Sequence, residues 1–255
     1  MIGIIGRLAA AATILAAQLT FASAAELKVF STIGVQAALE ELAPQFEKAT
    51  GNKLTIAFAT AAILAKRVMA GDSADVYILT SQSLDTLDKQ GKLAAGSGAT
   101  FARSEIAVVV KHGAPKPDIS TPEAYKKALL AAKGIAYSNP ASGGASGVYV
   151  AKTLQRMGIA DEMKAKTHHP PPSGNSANLV VSGDVDLAIQ QMPEVMSVAG
   201  VDVVGPPPGD LNSVTSYTAG VGAQAKDAGA AKALVDFLKS PDARAVFVRR
   251  GLEPA

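Results

Sequence analysis

Residues 27–90 read LKVFSTIGVQAALEELAPQFEKATGNKLTIAFATAAILAKRVMAGDSADVYILTSQSLDTLDKQ. The fold is decided by how this stretch alternates. Residues 27–31 are β-rich, and the apolar positions that follow, Val35, Leu39, Leu42 and Phe46, recur at helical spacing. That spacing draws one apolar stripe along a helix ending at Thr50-Gly51. The alternation then repeats. Residues 54–59 read as a second strand and 61–70 as a helix stopped by Gly71, while 74–79 read as a third strand and 81–90 as a third helix. Consecutive β-α units predict a parallel sheet covered by helices.

A break at residues 96–100 precedes the continuous apolar run 106–110, a strand buried on both faces. A second lobe is expected to begin here, with a helix at 122–132, a strand at 135–137, a glycine-serine loop and a helix at 147–157. Pro170, Pro171 and Pro172 lie within 168–174 and make that segment a stiff connector. A helix at 175–181 and strands at 185–189 and 201–204 follow. The turn cluster Gly205-Pro206-Pro207-Pro208-Gly209 leads into the run 214–221, read as a strand returning to the first lobe, and helices at 228–239 and 242–249 close the chain. The organisation expected is therefore a first lobe over 25–103, a second over 104–213, and a return over 214–255. Two crossings imply a hinge.

The N-terminus carries one basic residue, Arg7, then an apolar run over 8–19, then Ala22-Ser23-Ala24. This is the order of a cleavable secretory leader spanning 1–24, with the cut after Ala24. Its apolar run is shorter than the roughly 20 residues a membrane helix needs. With no cysteine anywhere, the exported domain has neither disulfides nor a lipid-modified cysteine, so a free periplasmic monomer is expected. Roughly 230 residues would remain, enough to bury a core without a metal or staple. The formal charge of +2 is spread without a long basic run, which argues against nucleic acid as a partner.

Ligands of open α/β sheets bind beyond the carboxyl ends of the strands, where helix N–H groups point outward. Those loops are small and polar here. Ser31, Thr32, Ile33 and Gly34 follow the first strand, and Thr60 and Ala61 follow the second. The loop Asn139-Pro140-Ala141-Ser142-Gly143-Gly144-Ala145-Ser146-Gly147 precedes a helix of the second lobe, and its Ser142, Gly143, Gly144 and Ser146 suit an oxyanion or carboxylate. A plain flexible loop with a serine N-cap is the alternative.

Arg103 is either the partner of a ligand carboxylate, which its planar fork matches in two hydrogen bonds, or a solvated hinge residue. Asn175 is either a ligand donor or an ordinary cap, and one of Gln190 and Gln191 should face the cleft. His168-His169 has no cysteine or carboxylate at ligand spacing and reads as a structural loop, so neither metal nor cofactor is implied. Residues 220–225 imitate a dinucleotide fingerprint without its early βαβ context, and neither a G-x-S-x-G elbow nor a phosphate-binding G-x-x-x-x-G-K-[ST] loop occurs.

In order, residues 29–39, 58–64, 74–78, 139–149 and 237–251 resemble the molybdate-binding family of periplasmic solute-binding proteins, over nearly all of the exported chain. The resemblance implies the two-lobed type II α/β fold, each lobe a mostly parallel sheet flanked by helices, closing over a small anion for delivery to an ABC transporter permease. It also implies a hydroxyl after the first strand and another after the second. The matching positions here are Gly34 and Ala61, which have none. Gln191 matches a tyrosine of the family, and the glycine-serine loop is one residue longer. The site is therefore expected to take a larger anion, a di- or tricarboxylate, with molybdate or tungstate as the alternative. A sensor module, or a periplasmic enzyme acting on a small acid, are the readings from other classes. The enzyme reading lacks a general base in any recognisable motif.

Overall fold

Leu27 and Val29 are buried on one face of the first strand, β1 (Glu26–Thr32), and Phe30 on the other. A strand apolar on both faces requires cover on both. In the computed structural model, which describes residues 24–172 and 174–255, α1 (Gln36–Thr50) covers one face through Leu39, Leu42 and Phe46. The other is covered by α2 (Ala61–Met69) and α3 (Ser81–Lys89), through Leu64, Val68, Leu84 and Leu87. Gly51 ends α1 at φ 77°, its N–H capping the Glu47 carbonyl. β2 (Lys53–Ala59) and β3 (Val76–Thr80) flank β1 in parallel, so the expected β-α units are present. The expected secretory leader lies outside the described residues but for Ala24.

The first sheet runs β2-β1-β3, then β9 (Val214–Val221), then β4 (Ala99–Lys111). β4 is shared. Its residues 99–105 pair with β9, and its residues 106–109 pair with β7 (Leu187–Gln191) in the second sheet. The sequence reading saw only 106–110 as strand, because only that half is apolar on both faces. The earlier half alternates, with Arg103 exposed between buried Ala102 and Ser104. The chain returns at residues 211–214, where the Ser213 carbonyl accepts the Ile106 N–H at 3.3 Å.

In the second sheet β8 (Val201–Gly205) also joins β4, and β5 (Ile135–Ala136) and β6 (Thr167–His168) continue beyond β7 in parallel. Parallel pairing thus stays within the β-α units, and the crossing strands add antiparallel partners. Helices α4 (Pro122–Ala131), α5 (Ala145–Arg156), α6 (Ala160–Lys164), α7 (Ala177–Ser182) and α8 (Met192–Met196) surround this sheet. The short α6 and α8 were not expected. At the C-terminus α9 (Ala228–Phe237) and α10 (Pro241–Arg249) pack on the first lobe, where Phe237 meets Phe46 at 5.5 Å and Phe247 meets Phe101 at 5.2 Å between ring centroids. The short β10 (Glu253–Pro254) lies along β4. No helix among the described residues is long and apolar enough to cross a membrane.

Candidate functional site

Both lobes turn strand ends and helix N-termini toward one cleft of about 540 Å³. From the first lobe come residues 32–34, 60–62 and 80–83, each group at or just past the carboxyl end of a parallel strand. The second lobe contributes Ser138, the loop residues 142–146 ahead of α5, and Gln191 and Glu194 at the start of α8. Pro170, Pro171 and Pro172 form part of the wall, so the stiff connector is also a cleft surface. Thr215, Ser216 and Tyr217 of β9 line the cleft beside the hinge.

The lobes touch across this space. Thr60 caps α2, its Oγ1 accepting the Ile63 N–H at 3.3 Å, and the same hydroxyl donates to the Ser142 carbonyl of the opposite lobe at 3.0 Å. Gly143 faces Ala62 so closely that a Cβ there would stand 2.5 Å from the alanine methyl, and its φ of 69° favours glycine as well. Gly147 cannot carry a Cβ either, because the Ser138 carbonyl occupies that place. Gly143 and Gly147 are therefore required by packing, whereas a Cβ on Gly144 would meet only ordinary contacts.

Hydroxyls and helix N-termini supply most of the polar groups of the lining, and unpaired N–H groups at helix N-termini favour negative charge. Thr32 is buried, and its side chain makes no capping bond to the turn it precedes. Among the described lining residues Lys152 is the one cation and Glu194 the one carboxylate. Lys152 is exposed at the mouth.

Glu194 is half-buried, and the Gln190 amide nitrogen donates to it. Burial pushes its carboxyl up to about 7, against the opposing effect of that hydrogen bond. The orientation of the Gln190 amide is fixed, because its Oε1 accepts from the Ser176 N–H at 2.8 Å and from the Ser176 hydroxyl at 2.6 Å. Tyr217 is held above the ordinary phenol range, first by burial and then by the charge of Glu194. Gln191 donates its amide nitrogen to Thr215 Oγ1 at 2.9 Å, and its buried Oε1 has no partner among the described residues. The cleft can hold an anion, and it contains one group able to exchange a proton near neutral pH.

The family described as bacterial extracellular solute-binding proteins matches residues 27–253. The chain belongs to this family. Among its relatives, an aconitate isomerase of Pseudomonas sp is 36% identical over 234 residues, covering 89% of this chain and 87% of that protein. The molybdate-binding protein ModA of Escherichia coli (strain K12) is 26% identical over 228 residues, covering 89% and 88%. Among solved structures, the periplasmic molybdate-binding protein of Azotobacter vinelandii superposes with a TM-score of 0.72 at 23% identity, covering 89% of this chain and 98% of that one. The resemblance to molybdate-binding periplasmic proteins and the two-lobed fold it implied are borne out.

In this solute-binding protein the structure brings together ten of the residues singled out from sequence: Thr32, Ile33, Gly34, Thr60, Ala61, Ser142, Gly143, Gly144, Ser146 and Gln191 all line the cleft. Three others need correction. Ser31 is fully buried behind the cleft, its hydroxyl on the Thr32 carbonyl, because strand alternation turns it away from its neighbour. Arg103 is exposed and is absent from the lining, because the same alternation on β4 points Ala102 and Ser104 inward. Asn175 binds backbone, donating to the Glu194 carbonyl at 2.6 Å and accepting from the Ala177 N–H at 3.0 Å. It stays outside the lining.

Sequence reading missed Thr80, Ser81, Lys152, Glu194, Thr215 and Tyr217 of this solute-binding protein. A signal for Glu194 was available. Met192-Pro193-Glu194 places proline and an acidic residue in a first helical turn directly after a strand, which marks a helix start.

Proposed function

We propose that the cleft binds a small organic di- or tricarboxylate of the aconitate class, and that the protein works as an exported monomer presenting this acid to an ABC transporter permease. One observation carries the reading. At the two positions where the molybdate-binding resemblance implies hydroxyls stand Gly34, whose side-chain space Tyr217 fills, and Ala61, so two hydroxyls of a shell around a small tetrahedral ion are missing from this cleft. A volume of about 540 Å³ falls within the range of sites for organic ligands. Lys152 and the helix N-termini offer charge to separate carboxylates, and the 36% identical relative bears the name of an enzyme acting on such an acid.

Thermal denaturation with added ligand tests this, since a molecule that binds only the folded state raises the midpoint. Cis-aconitate, trans-aconitate or citrate should raise it, while molybdate, tungstate and sulfate should not. Stabilisation by molybdate or tungstate alone would return the site to the oxyanion reading.

A second reading, that the protein isomerises the acid it holds, is favoured by Glu194. A carboxyl titrating at about 7 inside the cleft populates both acid and base forms at neutral pH, as a proton-transfer catalyst should. Proton NMR of cis-aconitate incubated with the protein decides between carriage and turnover: growth of the trans isomer above the blank establishes an enzyme, and an unchanged spectrum with demonstrated binding establishes a carrier.

A further inference from the structure

A carboxylate is an unexpected wall for an anion site. At close range it repels a fully ionised ligand, and in a partly desolvated cleft that repulsion is screened less than in water. No lysine, arginine or histidine forms an ion pair with Glu194 among the described residues, and its hydrogen-bond partner is the neutral amide of Gln190. That amide cannot reverse, because Ser176 already requires its oxygen. Three residues before Glu194 in sequence, Gln191 lines the same cleft and leaves a second acceptor, its Oε1, without a donor among the described residues. An acceptor buried without a partner costs about 1–3 kcal/mol, so this pair of neighbours is matched by a ligand that brings its own hydrogen.

We infer that Glu194, oriented by Gln190 and paired with the unpartnered oxygen of Gln191, is the specificity-determining residue of the cleft: it admits anions that bind together with a proton and rejects fully ionised tetrahedral oxyanions. The inference rests on the reading of the cleft as a carboxylic-acid site and adds to it the rule of selection. A carboxylic acid shares one proton with Glu194 across a short hydrogen bond. Sulfate and molybdate carry no proton at neutral pH, so against the ionised form of Glu194 they meet a bare negative charge.

The remaining charged groups around α8 are engaged elsewhere or exposed. On β4, Glu105 accepts from Asn212, and Arg103 and Lys111 are exposed. On α1, Glu40 accepts from Gln36, Glu41 pairs with Arg249 and Arg250, Glu47 pairs with Lys53, and Lys48 carries no ion pair among the described residues. On β8, Asp202 pairs with His112. Tyr217 faces Glu194 and stays neutral, while Lys152 belongs to the cleft mouth. The titration that governs binding is therefore that of Glu194.

Calorimetry provides the test. Trans-aconitate is titrated into the wild-type protein at pH 8 in two buffers of different ionisation enthalpy, which counts the protons taken up. About one proton per ligand is expected, with affinity falling about tenfold per pH unit above the Glu194 titration. Glu194→Gln should take up none and lose the pH dependence, and it should bind sulfate and molybdate at least tenfold more tightly than the wild type. Proton-free binding to the wild type, or equal sulfate and molybdate affinity in both proteins, overturns the inference while leaving the carboxylate reading standing. Should neither aconitate nor citrate bind at any pH, the carboxylate reading falls. Hydrogen phosphate against sulfate then decides the inference: a wild-type preference for phosphate that Glu194→Gln abolishes sustains it, and no preference overturns it.

Discussion

Tyr217 occupies the room that a side chain at Gly34 would need: a Cβ on Gly34 would stand 2.9 Å from the ring carbon bearing the tyrosine hydroxyl. The residue lost after the first strand and the aromatic supplied by β9 are two halves of one arrangement. Gly34→Ala should therefore cost about 1–3 kcal/mol by overpacking. The double variant Gly34→Ala with Tyr217→Leu should cost measurably less than the sum of the two single changes, because the residues share one space. Denaturant unfolding of the three variants measures the coupling, and strict additivity would show the contact to be of no consequence.

Thr60 serves both lobes at once, capping α2 and donating to the Ser142 carbonyl. Thr60→Val removes both bonds. It should lower stability by about 1 kcal/mol through the lost cap and weaken ligand binding several-fold through the lost closing contact. Thr60→Ser keeps the hydroxyl and should stay near wild type in both measurements. Equal affinities for all three proteins by calorimetry would remove the latch from the account of closure.

Lys152 and Arg103 should behave oppositely. Lys152→Ala is expected to weaken an anionic ligand by several-fold, with the difference shrinking at high salt because the lysine is exposed. Arg103→Ala should leave affinity within about twofold, since the guanidinium lies outside the cleft lining. Binding isotherms at low and high ionic strength check both, and a large loss for Arg103→Ala would place the ligand nearer the hinge than the cleft suggests.

The Glu194 carboxyl also links ligand-free stability to pH. Its titration in the fold lies at about 7, above the ordinary 4.5. The folded state thus holds an extra proton between those values. That contribution is complete below about 4.5 and is lost as pH rises through about 7. Glu194→Gln should accordingly match the wild type near pH 4.5 and exceed it at pH 8.5 by about 1–2 kcal/mol, a figure reduced for partial exposure. Thermal melts across this range measure it, and parallel curves for the two proteins would show that Glu194 titrates normally.

The β-α alternation of residues 27–90, the buried run at 106–110 and the small polar loops after the strands were legible because each is a local pattern, set by the period of a strand or helix and by the residues that stop it. Ten residues of the cleft followed from that, since a strand's carboxyl end is a position in the chain as well as in space. Arg103 and Ser31 failed for a local reason of another kind: alternation gives two faces without saying which faces the ligand.

Sequence by itself therefore determined the class of fold and most of the loops that line its cleft. Tertiary structure alone decided that Tyr217 fills the space at Gly34, that Thr60 reaches Ser142 across the cleft, and that Glu194 stands in the cleft with no ion-pair partner among the described residues. Each of these joins segments far apart in the chain. Periodicity carries no information about such distances, whereas close packing of folded lobes fixes them.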